Sequence, residues 1–199
     1  MHISEGILTN GILIAGWAGT LTGISIGLKK TNLDKIVKTA LVSSAFFLAS
    51  LVNIKIGVSS THLSLIAPTG LLLGYSTFPA VFVALLLQSL LFHFGGILVL
   101  GVNTFTMGFS ALMTYIIFGK LIFNSNNRKT VAVISFFAGS LAVIFAAFLT
   151  GLILYFIDKN FINAVKILFL AHVPVALIEG LVTSFLILWL KKVSPEFLL

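Results

Sequence analysis

A chain that opens Met1-His2 places an α-amine, the amide nitrogen of His2 and the imidazole of His2 within reach of one divalent ion. Together they close two fused chelate rings. Three further imidazoles follow, at His62, His93 and His172, and the sequence contains no cysteine. Any metal site must therefore use nitrogen or oxygen donors. An imidazole-rich set without thiolates suits Ni²⁺, Co²⁺, Cu²⁺ or Zn²⁺ rather than Mg²⁺ or Ca²⁺. Other chemistries lack their parts. No GxxxxGK[ST] phosphate loop and no HExxH occur, so neither P-loop ATP hydrolysis nor a zincin protease is expected. Ser59-Ser60-Thr61-His62 sets hydroxyls beside an imidazole, but no GxSxG elbow accompanies it. The expected chemistry is capture of an ion, not turnover of a substrate.

The elements that position these groups are membrane helices. Apolar residues make up 59% of the 199, charged residues 9%, and mean hydropathy is +1.18. Soluble domains carry roughly 25% charge. The whole chain, 1–199, reads as a single integral membrane domain, all-α and polytopic, in the cell membrane. About seven transmembrane helices are expected, over 7–28, 39–54, 63–74, 78–92, 103–123, 130–157 and 167–190. The third is shorter than the ~20 residues that cross a bilayer, and it contains Pro68. Such a segment belongs among other helices or beside a cavity.

Seven spans put the termini on opposite sides. With the N-terminus outside, nine Lys and Arg residues fall on inner loops and the tail, against Lys55, Lys159 and Lys166 outside. That bias predicts N-out and C-in. The net charge of +7 is thus a topology signal, with no nucleic acid partner implied. The same topology gathers all four histidines in the outer half, with His172 about one and a half turns into the last helix. Glu179 is the one carboxylate well inside a span, two turns from His172 on the same face. A buried carboxylate needs a partner, expected to be a Lys or a polar side chain on a neighbouring helix. Intramembrane charges are too few to support proton or sodium coupling. Ala15, Gly19 and Gly23 recur every four positions on the first helix, for close packing either inside the chain or against another subunit.

Four blocks carry a resemblance. Met1-His2-Ile3-Ser4-Glu5-Gly6 opens the chain, and Ser59-Ser60-Thr61-His62-Leu63 follows. Next come Gly95-Gly96 with Gly101-Val102-Asn103-Thr104-Phe105-Thr106-Met107-Gly108, then His172-Val173-Pro174 with Ile178-Glu179-Gly180. In order and spacing these resemble the CbiM/NikM family, the substrate-binding S components of energy-coupling-factor transporters for cobalt and nickel. The resemblance implies a metal site built from the Met1 amine, the amide and imidazole of His2, and the imidazole of His62. Asn103, His172 and Glu179 are supporting candidates around it, and no ligand role passes to His93. It implies Co²⁺ or Ni²⁺ as cargo with no resident cofactor, and a link to cobalamin biosynthesis or nickel supply. Implied partners are two cytosolic ATPase subunits, a transmembrane coupling (T) subunit and a small accessory membrane subunit. The rival expectations are a self-sufficient divalent-metal permease or channel, and a membrane enzyme using the same His and Glu groups.

Overall fold

The computed structural model describes residues 2–56 and 59–198, with the backbone alone for 33, 34 and 53–61. Helix α1 covers Asn10–Lys30 and α2 Leu33–Ser50, the latter capped by Asn32, whose side chain accepts from the Lys35 amide. Two short strands, β1 (Asn53–Ile56) and β2 (Ser59–His62), pair antiparallel with Asn53 opposite His62. Then come α3 (Ile66–Leu73), α4 (Thr77–Phe92), α5 (Leu100–Phe123), α6 (Arg128–Ile157) and α7 (Ile162–Val193).

Seven α-helices are thus present among the described residues, but not as seven independent spans. Five segments are long and apolar enough to cross a membrane: α1, the unit Ile66–Phe92, α5, α6 and Lys159–Val193. Helix α3 has eight residues and reaches only about 12 Å. It joins α4 through the 3-10 turn Gly74–Ser76. Pro68 is tolerated because it sits third in α3, where the backbone N–H has no partner within the helix. Helix α2 starts six residues before the expected position, since its charged first turns read as loop. It also ends four residues early, at Ser50, and the chain turns extended over Asn53–Ile56, which holds the β-branched Ile54 and Ile56.

Packing is built on small residues. Helix α5 lies against α1, α3, α4 and α6. A side chain at Gly70 of α3 would collide with the Ala111 carbonyl of α5, so the two backbones touch. On α1, Gly16, Gly19 and Gly23 receive Val102, Phe105 and Phe78, while Ala15 is exposed. The α1 glycines therefore serve packing within this chain. Helices α6 and α7 cross at Gly139 and Gly180, and Ser140 Oγ donates to the Ala176 carbonyl across the contact at 2.9 Å.

Candidate metal centre

The non-helical segment that precedes α1 is tied down chiefly by the side chain of Asn103. Asn103, three residues into α5 and 3% exposed, accepts from Ile3 N at 3.0 Å and donates to Ile3 O at 3.1 Å. A carboxamide matches a backbone amide edge to edge, so this two-point clamp fixes Ile3 in position and in rotation. Glu5 extends the attachment: its N–H donates to the Gly95 carbonyl at 3.2 Å, and its carboxylate accepts from Leu98 N at 2.8 Å. Gly95 and Gly96 have φ of +79° and +117°. A Cβ on Gly95 would sit 2.8 Å from the Asn103 amide nitrogen, and one on Gly96 would overlap Glu5. The glycine pair is thus required by both the turn and the strap of residues 2–9 that lies on it.

That attachment delivers His2 to His62. Their Nε2 atoms are 2.9 Å apart, and the rings stack at a centroid distance of 4.9 Å and 22°. Phe94 also stacks against His2, at a centroid distance of 6.2 Å and 22°. The tautomers follow from the bonding. His62 Nδ1 lies 3.1 Å from the Leu63 carbonyl and can only donate to it, which leaves a lone pair on His62 Nε2. The shared proton therefore belongs to His2 Nε2, so His2 Nδ1 carries its lone pair. His2 Nδ1 is the ring atom that closes a six-membered chelate with its own amide nitrogen. Burial holds the His2 imidazole well below its ordinary pKa of 6.5, helped by the neighbouring His62. Burial likewise lowers His62 to about 4. Both rings are neutral at physiological pH, as metal ligands must be.

The supporting residues lie on α7 and α4. Glu179 is fully buried, and its Oε1 accepts from Ser64 N, from Ser64 Oγ at 3.0 Å and from Leu65 N at 2.8 Å. Its partners are thus not a Lys but the Ser64 hydroxyl and two backbone N–H groups, and they lie on a loop rather than on a neighbouring helix. It is the loop that links His62 to α3. Leu65 adopts φ +48°, a left-handed turn that aims two successive N–H groups at one oxygen. His172 is also fully buried and donates from Nδ1 to the Leu168 carbonyl at 2.7 Å. Its Nε2 lone pair has no hydrogen-bond partner among the described residues. It lies ten residues after Ile162, nearly three turns into α7 rather than one and a half, because α7 starts five residues earlier than expected.

Two further participants, Phe94 and Gln88, belong to none of the sequence motifs. Gln88 is fully buried beside His2, and both its amide atoms lack a partner among the described residues. It is the one amide in the apolar run of α4, and a buried polar group inside a membrane helix is itself a functional signal. His93 caps α4 in a left-handed conformation with its side chain exposed, apart from the pair. Met1 lies outside the described residues, and with it the expected amine ligand. Among the described residues, no three His, Cys, Asp or Glu side chains converge as a metal cluster.

Comparison with known proteins agrees with this architecture. Residues 2–197 match the family model for CbiM, the cobalt uptake substrate-specific transmembrane region. A Haemophilus influenzae protein is 35% identical over 197 residues, covering 98% of this chain and 96% of its own length. The cobalt transport protein CbiM of Kyrpidia tusciae is 31% identical over 217 residues, covering 100% of this chain and 86% of its own. In fold, the chain resembles a transition metal transporter of known crystal structure. The TM-score is 0.79 at 24% identity, covering 97% of this chain and 93% of that one. A model match across nearly the whole length, with relatives above 30% identity, decides the family. This chain is a member of the CbiM cobalt-uptake family, a membrane transport component rather than an enzyme.

Proposed function

We propose that this protein is the metal-capturing S component of an energy-coupling-factor importer for Co²⁺ or Ni²⁺. The observation that carries this reading is the meeting of His2 and His62, with lone pairs left on His2 Nδ1 and His62 Nε2. The Met1 amine, the deprotonated amide of His2 and His2 Nδ1 then supply three donors, and His62 Nε2 the fourth. Four nitrogens with two fused rings favour a planar arrangement around a late first-row ion. To bind, His62 Nε2 exchanges the N–H of His2 for the ion, and the His2 ring turns Nδ1 inward. Asn103 keeps the strap in register during that exchange, and Glu179 holds the loop carrying His62 against α7.

In this reading the seven helices form one bundle with the N-terminus outside and the C-terminus inside, so the histidine pair faces the outside. The nine-to-three distribution of Lys and Arg supports that orientation. No phosphate loop is present, so the energy comes from two cytosolic ATPase subunits through a coupling subunit, with a small accessory membrane subunit completing the assembly. Reconstitution into liposomes tests this. The isolated chain should bind one ion and accumulate none, and adding the ATPase and coupling subunits should make accumulation depend on ATP. Concentrative uptake by the isolated chain, indifferent to ATP, would establish a self-sufficient permease instead.

A further inference from the structure

Away from the histidine pair, the ends of α1 and α3 and the start of α2 enclose a cavity of about 300 Å³. Lys30, Lys35 and Lys38 all line it. Tyr75 and Tyr115 form an aromatic wall, in edge contact at 6.0 Å. The Lys30 ammonium lies 4.7 Å from the Tyr75 ring centre, and Lys38 Nζ lies 5.1 Å from that of Phe197. Among the described residues, no Asp or Glu lines the cavity. Three cations are thus brought to one concave site with aromatic faces, not carboxylates, beside two of them. Like charges held together this way call for an anion.

A second feature identifies which anion. At Thr39 the basic cavity adjoins a groove of about 330 Å³ between α1, α2 and α4. The groove is walled by Leu28, Ile36, Ala40, Pro79 and Val83. Its hydroxyls are satisfied by backbone carbonyls: Thr31 donates to Gly27 O, Thr39 to Lys35 O and Ser43 to Ala80 O, at 2.7, 2.7 and 2.8 Å. What remains facing outward is hydrocarbon. A cationic cavity at the end of a membrane-crossing helix, continuous with an apolar groove along that helix, has the shape and polarity of a phospholipid.

We propose that this composite site binds one anionic glycerophospholipid. Its phosphate is met by Lys30, Lys35 and Lys38, and an acyl chain lies in the groove beside Ala40. Lysine supplies point charges with rotatable donors, which suits a phosphate diester whose orientation is set by its tail. The proposal rests on the membrane location of the family and not on the metal-site reading. It holds whichever side of the bilayer the cavity faces.

The test is native mass spectrometry of the full chain released from detergent. Phosphatidylglycerol and phosphatidylcholine of the same acyl chains are compared, with inorganic phosphate as a separate competitor. Phosphatidylglycerol should be retained at concentrations about tenfold below phosphatidylcholine. The triple variant Lys30→Gln, Lys35→Gln, Lys38→Gln should bring the two lipids within about twofold. Ala40→Trp should weaken both lipids by filling the groove. Inorganic phosphate in hundredfold excess should displace neither. Thermal midpoint and Co²⁺ binding report folding. If the triple variant fails to fold, Lys38→Gln alone is used and should cost about threefold in phosphatidylglycerol retention. Equal retention of the two lipids, no change in the lysine variant, or full displacement by inorganic phosphate would each overturn the proposal.

Discussion

The strap of residues 2–9 and the α6–α7 pair are both held firmly, but by different forces. The strap is non-helical backbone fastened by directional bonds: two between Asn103 and Ile3, one from Glu5 N to Gly95, and one from Leu98 N to the Glu5 carboxylate. Helices α6 and α7 satisfy their own backbones and meet by close packing at Gly139 and Gly180, with Ser140 and Ser184 bonding to opposing carbonyls. Packing of that kind spreads its energy over many weak contacts and tolerates no displacement. Hydrogen bonds concentrate it in a few groups worth about 0.5–1.5 kcal/mol each. The metal site proposed at the end of the strap can therefore be opened or reset by losing a few bonds while the helical scaffold stays intact. Variants of the strap should change ion affinity, whereas variants of the scaffold should change stability.

The largest effect expected from this contrast falls on the histidines. His2→Ala or His62→Ala each removes a donor and should lower Co²⁺ or Ni²⁺ affinity by about a thousandfold, roughly 4 kcal/mol. The thermal midpoint should move little, and His93→Ala should leave both quantities nearly unchanged. Calorimetry and thermal unfolding of the three variants check this. A His93 effect equal to that of His62 would mean that the donor set is misassigned.

Asn103→Ala should be next. Losing both bonds to Ile3 at about 1 to 1.5 kcal/mol each predicts a loss of roughly 30- to 150-fold in affinity. The scaffold counterpart is Gly180→Leu, which overpacks the α6–α7 contact and should reduce stability by about 1–3 kcal/mol. Its folded fraction should still bind the ion with native affinity. An unchanged affinity in Asn103→Ala, or a selective affinity loss in Gly180→Leu, would erase the distinction between the two regions.

The pH response is smaller and has a definite shape. With His62 near 4 and His2 also depressed, neither imidazole carries a proton between pH 6 and 8. The ion then displaces one proton from the His2 amide and, below the amine's ordinary pKa of about 7.7–8.0, one from Met1. Proton release should therefore rise from about one at pH 9 to about two near pH 6.5. It should not climb on to the total of four that two ordinary histidines, adding one proton each, would give at lower pH. Calorimetry in buffers of different ionisation enthalpy measures this count. Folding shows the matching sign. Both histidines bind protons more readily when unfolded, so stability falls as pH drops from about 6.5 towards 4.

The smallest effect belongs to α1. Gly19 packs on Phe105, so Gly19→Leu should lower the thermal midpoint by a few degrees while the metal affinity of the folded protein is retained. Loss of ATP-driven uptake in the full assembly at an unchanged midpoint would show that this face docks a partner after all.

The parts legible in the sequence were those governed by hydrophobic runs and by chelating residue types. Helices α4, α5 and α6 begin within three residues of expectation and end where expected, because their apolar stretches have polar or glycine-bearing flanks. The starts of α2 and α7 were hidden, since Asp34, Lys35 and Lys38 in one and Lys166 in the other read as loop although the helix runs through them. His2 and His62 stood out as donors, but what brings them together did not. The grip of Glu179 on Ser64 and Leu65 uses backbone N–H groups, which every residue except proline possesses and no residue type advertises. Phe94 and Gln88 matter only because the end of α4 folds back over His2, a contact fixed by tertiary structure.

The central claim is that the ion is held by the start of the chain, and the most direct measurement is calorimetry on a protein carrying one added glycine before Met1. That residue turns the ligand amine into an ordinary amide and moves the amine out of chelate range, without touching Asn103, Glu5 or the helices. High-affinity binding of Co²⁺ and Ni²⁺ should disappear while the thermal midpoint of the metal-free protein stays the same. Unchanged affinity in the extended protein would contradict the account and move the ion to a site that does not use the amino terminus.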